Sequence, residues 1–201
     1  MKMNIEKDII ILPCTAKKID IPFFFGKNFC AKIDGKNIVR PFDKNENGKT
    51  WYEVVEENQN STSDALSEAY KLYLPKGDKF LYREVYEIFG DRLLILSSGW
   101  GLVKATYRLP LYEITFNGTK ADINHRNYID TNYNDINHLP ETLKKYPESK
   151  ICPVLLGKYK KFLNKFLNGM DVDLQYSNAA AELGGANYTK VYRYVRNYIL
   201  K

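Results

Sequence analysis

Three short, uninterrupted apolar runs restrict the folds open to this chain: DIIILP at 8–13, DRLLILSS at 91–98 and KICPVLLG at 150–157. A strand with one face in water alternates apolar and polar residues, whereas a continuous run is typical of a strand buried on both faces of a parallel sheet. VDLQYS at 172–177 is a fourth candidate strand. Helical patterns separate these runs, so we expect an α/β fold with a mostly parallel sheet and helices on its faces.

The predicted helices have apolar residues at three- and four-residue spacing. They cover 63–74, 78–90, 134–147, 158–169 and 187–201. The first should begin at the capping pair Ser63-Asp64, and the second and fourth should end at Gly90 and Gly169. The last places Val191, Val195, Tyr198 and Ile199 on one side.

A predicted insertion at about 19–62 separates the first strand from the first helix. Asp34-Gly35 lies between two β-prone stretches in 29–42, and this dipeptide favours the tight turn of a β-hairpin. The polar stretch 43–64 is predicted to be a loop, with WYEVV as one more short strand. With 201 residues, 44% of them hydrophobic, the chain can bury one sizeable core, so we expect a single α/β domain over 1–201 that carries an inserted hairpin.

Charge and cysteine content narrow the classes of partner and of site. The formal net charge of +6 favours acidic partners such as nucleotides or nucleic acid, although a lysine-rich composition alone gives the same excess. The three cysteines, Cys14, Cys30 and Cys152, form no CxxC pair, which favours a reducing, cytoplasmic location. The N-terminal apolar run is too short for a signal peptide or a membrane span. No HExxH motif or Cys/His cluster occurs, so no metal or other cofactor is predicted.

A residue suited to a ligand site follows each predicted strand: Cys14, Ser97-Ser98, Gly157 and Ser177. In open α/β sheets ligands bind beyond the carboxyl ends of the strands. Lys17 and Lys18 follow Cys14 closely, and a nearby cation lowers the pKa of a thiol. If a helix begins at Thr15, its free N–H groups would also bind phosphate. The alternative is that Cys14 is a small buried apolar residue and the lysines are solvated.

The stretch LSSGWGLV at 96–103 is the second candidate for a ligand-binding turn. Gly99 and Gly101 flank Trp100, so the backbone can approach a ligand while the indole offers a stacking face. The hydroxyls of Ser97 and Ser98 would lie on the rim. The alternative is a tight turn with a core tryptophan.

Two further features extend the candidate site. Tyr112 can hydrogen-bond a base or sugar, with a tyrosine that only packs in the core as the alternative, and Glu113 is the nearest carboxylate for general acid or base chemistry. Gly184-Gly185 precedes a basic helix and would admit a phosphate. Phosphate contacts are predicted from Lys158, Lys160, Lys161, Arg193 and Arg196, with a solvated basic face as the alternative.

Several motifs together resemble the YaaA-like domain family, and more distantly the P-C-x-x-x-K domain of archaeosine synthase. These are the strand ending in C-x-x-K-K and the stretch ILSSGWGLVKATYRLPLYEITF, and the likeness covers 8–18 and about 65–116. The family's Cys and Lys fall on Cys14 and on Lys17 or Lys18, its Ser-Ala on Ser97-Ser98, its aromatic-Gly-Leu on Trp100-Gly101-Leu102, and its Tyr-acid pair on Tyr112-Glu113. Relatives are associated with DNA damage under oxidative stress, DNA binding or deazaguanine chemistry, so the resemblance implies a nucleobase or nucleic-acid context.

The leading hypothesis is therefore an enzyme-like domain that binds a nucleotide or a nucleic-acid base, with glycosidase or transferase chemistry in nucleic-acid modification, stress or defence. Its predicted catalytic residues are Cys14, Lys17, Ser97 and Glu113. Its predicted ligand-binding residues are Lys18, Ser98, Gly99, Trp100, Gly101, Tyr112 and Gly157. The competing hypotheses are a DNA- or RNA-binding accessory protein without catalysis and a protein that acts on a protein partner through 29–60.

Overall fold

The computed structural model describes residues 3–29, 32–33, 37–118, 125–126, 133, 135–175 and 188–201. The strands are β1 (Ile9–Pro13), β2 (Lys32–Ile33), β3 (Asn37–Ile38), β4 (Ser67–Glu68), β5 (Leu93–Ser97), β6 (Gly101–Lys104), β7 (Arg108–Leu109) and β8 (Ile151–Pro153). The helices are α1 (Trp51–Glu57), α2 (Ala69–Leu72), α3 (Leu81–Phe89), α4 (Leu139–Lys145), α5 (Gly157–Phe166) and α6 (Tyr188–Tyr194), which continues as a π-helical turn, Val195–Ile199. None of the helices in this described part is long and apolar enough to cross a membrane.

A four-stranded sheet in the order β6-β5-β1-β8 carries the site. β1 pairs in parallel with β5 and with β8, and β6 runs antiparallel to β5. Every residue of β1, β5 and β8 is buried, as the uninterrupted apolar runs predict. The mixed α/β fold with a mostly parallel sheet is thus confirmed.

The fourth candidate strand at 172–177 is reduced to one parallel bridge between Leu174 and Ile151. The Ile151 amide donates to the Asp173 carbonyl at 2.9 Å, and the Gln175 amide donates to the Ile151 carbonyl at 2.8 Å. Residues 176 and 177 lie outside the described residues, and so does the predicted site residue Ser177.

The segment predicted as a helix over 63–74 is helical only in α2. Ser67 and Glu68 instead pair with β7 as the short strand β4. The Arg108 side chain donates to the carbonyls of Ser61 at 2.5 Å and Leu66 at 3.0 Å, and also to that of Ser63. These carbonyls bind a side chain of β7, so the segment before α2 does not form a helix and Ser63-Asp64 is not its cap.

The stretch WYEVV was predicted to be a strand, and this prediction is wrong. It forms α1, in which Trp51, Val54 and Val55 are buried at helical spacing. The Thr50 hydroxyl accepts from the Glu53 amide at 3.2 Å, and the Glu53 carboxylate accepts from the Thr50 amide at 2.7 Å. This reciprocal pair is a capping box, which fixes the start of a helix.

The C-terminal helix keeps Val191, Val195 and Ile199 buried, but the expected fourth member, Tyr198, is 63% exposed. Tyr198 lies in the π-helical turn, where each residue advances by a smaller angle than in an α-helix. The wider turn therefore rotates Tyr198 away from the buried side.

The predicted hairpin is represented by the antiparallel pair β2 and β3. Its proposed turn at Asp34-Gly35 lies outside the described residues, so the hairpin stays a prediction. Trp51, Val54 and Val55 of α1 belong to the same hydrophobic cluster as β1 and β5.

Candidate ligand-binding site

The carboxyl ends of β1 and β5 bring together two of the predicted site residues. Pro13 of β1 is in register with Leu96 of β5, and the Cys14 amide donates to the Leu96 carbonyl at 3.0 Å. Just beyond the two strand ends, Cys14 Sγ lies 3.7 Å from Ser98 Oγ. The rule that polar residues after parallel strands meet at one edge holds for this pair.

Tyr159 of α5 completes the surroundings of the thiol, with its hydroxyl 3.1 Å from Cys14 Sγ. Sequence reasoning missed this residue. The available indication was its position two residues after Gly157, where α5 begins behind β8 at the same edge of the sheet.

Cys14 borders a cavity of about 1630 Å³. Three segments line most of the cavity, 14–18, 74–80 and 112–115, together with Ser98, Asn117, Tyr159, Thr189 and Tyr192. Its charged lining residues are Lys17, Lys18, Lys76, Lys79, Asp78 and Glu113. The Asp78 carboxylate is ion-paired with Arg196 at 2.8 Å. Four lysines and one further acid therefore give the cavity a positive character, which favours an anionic ligand.

Among the four cavity lysines, Lys18 is the one that is partly buried. Its ammonium lies over the Tyr112 ring, 4.1 Å from the ring centroid. Burial lowers the pKa of Lys18, while the nearby Cys14 and Glu113 oppose that shift. Lys17, its neighbour, is exposed, so Lys18 is the cation that is electrostatically linked to the thiol.

Ser97 is fully buried and does not line the cavity. Its hydroxyl donates to the Tyr112 hydroxyl at 2.9 Å and accepts from the Trp100 amide at 3.0 Å. The Tyr112 and Tyr73 hydroxyls are 2.7 Å apart, and burial raises the pKa of both tyrosines. The prediction that Ser97 lies on the rim is wrong, and its hydroxyl instead holds Tyr112 in place.

Trp100 is 1% exposed and does not line the cavity. Its ring packs edge-on against Phe29, with 5.1 Å between centroids, and is stacked with Tyr52 at 6.3 Å. The prediction that Trp100 offers a stacking face to a ligand is therefore wrong. The structure shows the alternative, a tryptophan packed in the core.

The two glycines beside Trp100 serve the tight connection from β5 to β6. A Cβ on Gly99 would lie 2.8 Å from Ile114 Cδ1, and Gly101 has a φ of 71°. A side chain at either position would therefore be strained. Neither glycine lines the cavity.

The predicted phosphate site at Thr15 and the predicted ligand-binding residue Gly157 are not found where we expected them. No helix begins at Thr15, whose hydroxyl donates to the Lys17 carbonyl at 2.6 Å within a turn. Gly157 is the first residue of α5 and lies outside the cavity lining. Gly184-Gly185 falls outside the described residues.

The five predicted phosphate contacts on α5 and near the C-terminus differ in their surroundings. Lys161 and Arg193 are exposed, whereas Lys160 is partly buried. Lys158 Nζ lies 3.4 Å from the Gly118 carbonyl. Arg196 donates to both Asp78 oxygens at 2.8 Å and is also paired with Glu84. The charge of Arg196 is thus compensated within the protein.

Within the described segments, no group of three or more His, Cys, Asp or Glu side chains has the arrangement of a metal site. The Cys14 and Cys152 thiols are free.

Fold and site together define an α/β protein with a lysine-lined cavity at the carboxyl edge of a mostly parallel sheet and a thiol at that edge. No family model, curated protein or solved structure matches the chain.

Proposed function

We infer that this protein binds a nucleotide, free or as a unit of nucleic acid, in the cavity at Cys14, and that it acts on the base or the glycosidic bond. The observation that carries the proposal is the Cys14 thiol on a cavity lined by four lysines, with the partly buried Lys18 electrostatically linked to it. Phosphate is the anion that such a lysine cluster suits, and tyrosine rings and hydroxyls suit a base or sugar. The resemblance to YaaA-like domains adds the nucleobase context.

The roles that we propose follow from where each side chain lies. Cys14 is the nucleophile, because it is the thiol that lines the cavity. Glu113 is exposed on the cavity wall and supplies the carboxylate for proton transfer. Lys17 and Lys18 contact the phosphate, and Ser98 and Tyr112 contact the base or sugar. Ser97 is left out of the catalytic set.

A thermal-shift panel of nucleobases, nucleosides, nucleotides and short oligonucleotides tests the proposal. A ligand at 100 times its Kd stabilises a protein by about 2.7 kcal/mol. We expect one nucleotide class to raise the Tm of the wild type, and Cys14→Ala and Lys18→Gln to reduce or remove that rise. Cys152→Ala is the matched control, because Cys152 is also a buried free thiol but lies beside Asp8, away from the cavity.

The competing function, a DNA- or RNA-binding accessory protein, gives a different result. Backbone binding by Lys158, Lys161 and Arg193 would stabilise the protein only with oligonucleotides, would weaken steeply with salt, and would be unchanged in Cys14→Ala. That outcome would overturn the enzyme proposal.

The finer predictions on organisation and location also remain proposals. They are a single domain over 1–201 with an inserted hairpin, a cytoplasmic location, and a protein partner that binds through 29–60.

A further inference from the structure

The loop at 75–80, between α2 and α3, forms a wall of the cavity that the motif analysis did not single out. Every residue of this loop lines the cavity. The Asp78 amide donates to the Pro75 carbonyl at 3.2 Å, and Gly77 between them has a φ of 84°. The 75–80 loop is therefore a turn that presents its side chains at the cavity mouth.

Phe80, the last residue of this loop, places an aromatic ring on the cavity wall. It is 55% exposed, so its ring is accessible to a ligand. The ammonium of its neighbour Lys79 lies 5.6 Å from the ring centroid. Lys76 and Lys79 are themselves exposed. An exposed aromatic ring thus lies beside Lys79, on a loop that also carries Lys76.

The charge balance of the loop also favours an anion. Its single acid, Asp78, accepts two hydrogen bonds from Arg196 at 2.8 Å. Because the guanidinium compensates the Asp78 carboxylate, Lys76 and Lys79 act on a ligand with little opposition from within the loop.

The cavity is large enough for a ligand longer than one nucleotide. Sites that enclose a single small ligand measure about 300–1,000 Å³, whereas this cavity measures about 1630 Å³. A nucleotide placed at Cys14 would leave space for a second unit against the 75–80 loop.

We propose that the 75–80 loop binds the nucleotide next to the one at Cys14 in single-stranded nucleic acid, with Phe80 stacked on its base and Lys76 and Lys79 on the flanking phosphates. Stacked aromatic rings beside cations are the usual means of holding single strands without regard to sequence. This proposal rests on the proposed function of the Cys14 cavity, and it makes the polymer, rather than a free nucleotide, the preferred ligand.

The first test measures how affinity depends on ligand length. Isothermal titration calorimetry compares the four nucleoside monophosphates with single-stranded homo-oligonucleotides of two, four and eight units, both ribo- and deoxyribo-. We expect the wild type to bind a tetranucleotide more tightly than the monophosphate of the same base. Phe80→Ala should lower tetranucleotide affinity by about 5- to 100-fold, the effect of one base–aromatic stack, and leave monophosphate affinity within about twofold.

Phe25→Ala is the matched control for the lost ring. Phe25 is 60% exposed and lies outside the cavity lining, so its removal should not change the affinity for any length. Because Phe80 is exposed as well, neither Phe80→Ala nor Phe25→Ala should change the Tm. Unchanged Tm values for both variants would show that any loss of affinity is local.

The second test counts phosphate contacts through salt. For single strands, the slope of log K against log salt concentration changes by about 0.7 for each phosphate neutralised. Lys76→Gln/Lys79→Gln should therefore make the tetranucleotide slope shallower by about 1.4. Lys158→Gln/Lys161→Gln removes the same charge from α5 and should leave the slope unchanged.

Three results would overturn the inference, and they separate it from the proposed function. If monophosphates bind through Cys14 but longer strands bind no more tightly, the loop subsite is wrong and the proposed function stands. If the α5 variant, rather than the loop variant, changes the salt slope, strands bind elsewhere. If neither monophosphates nor oligonucleotides bind, the proposed function fails together with the inference.

Discussion

At the scale of single residues, two buried thiols of this chain have opposite environments. Cys152 Sγ lies 3.7 Å from an Asp8 oxygen, and burial together with that carboxylate raises the pKa of Cys152 to about 12. At pH 8 only about one Cys152 in 10⁴ is then a thiolate, so it is a poor nucleophile. Cys14 instead borders a cavity that contains lysines. The number of cysteines in the sequence does not distinguish these two thiols, whereas the residues around each thiol do.

Lys18 should titrate below the ordinary lysine value of about 10.4. Burial penalises its ammonium, so the neutral, reactive amine appears at lower pH. The unfolded chain binds this proton more strongly than the folded protein does. The burial penalty of Lys18 is therefore present below its lowered pKa, and stability increases as pH rises from that value towards the ordinary one. Competitive acetylation from pH 7 to 11, with mass-spectrometric readout of each lysine, measures the midpoint.

Glu113→Gln is the informative variant for that measurement. It removes a negative charge that raises the pKa of Lys18, so the Lys18 midpoint should move further down. A wild-type midpoint at the ordinary lysine value, or an upward shift in Glu113→Gln, would contradict the electrostatic account of the cavity.

At the scale of elements, the sequence predicts a helix or strand correctly where its apolar pattern is compatible with only one of the two. The runs that form β1 and β5 are too short for helices and too apolar for exposed strands, so both strands and the edge at Cys14 and Ser98 were predicted. WYEVV is ambiguous, because its apolar residues fit a strand as well as a short helix. The cap at Thr50 and Glu53 decides between them. Phe80 and Tyr159 were missed because the packing that brings their elements to the cavity leaves no local pattern in the sequence.

Thr50→Ala should lower the free energy of unfolding by about 1 kcal/mol, the usual effect of losing an N-cap. For a chain of this size that corresponds to a Tm about 2–4 °C lower. The reason is that the Glu53 amide loses its acceptor, the Thr50 hydroxyl, at the start of α1. Urea unfolding gives the free energy directly. Thr62→Ala, at an exposed threonine outside the helices, is the control and should stay within about 0.5 kcal/mol of the wild type. Equal effects of the two variants would show that the cap does not hold α1.

At the scale of the whole molecule, an arginine of the C-terminal segment contacts the 75–80 loop of the cavity wall. Arg196, in the π-helical turn after α6, pairs with Asp78 of the 75–80 loop and with Glu84 of α3. Hydrogen bonds to Glu84 and Asp78 raise the pKa of Arg196. Arg193, one turn earlier, is exposed. The same basic pattern in the sequence thus contains a structural arginine and an exposed one, and only the fold separates them.

Arg196→Gln and Arg193→Gln form a matched pair that tests this assignment. The Arg196 pairs are partly exposed, so their combined loss should lower the free energy of unfolding by only about 1 kcal/mol, and 1 M NaCl should reduce the difference from wild type. Arg193→Gln should have an effect within about 0.5 kcal/mol. Arg196→Gln also frees the Asp78 carboxylate beside Lys76 and Lys79, so tetranucleotide affinity should fall although Arg196 does not line the cavity. If both variants instead weaken oligonucleotide binding equally and leave the Tm unchanged, the C-terminal helix contacts phosphate directly and Arg196 does not act through the loop.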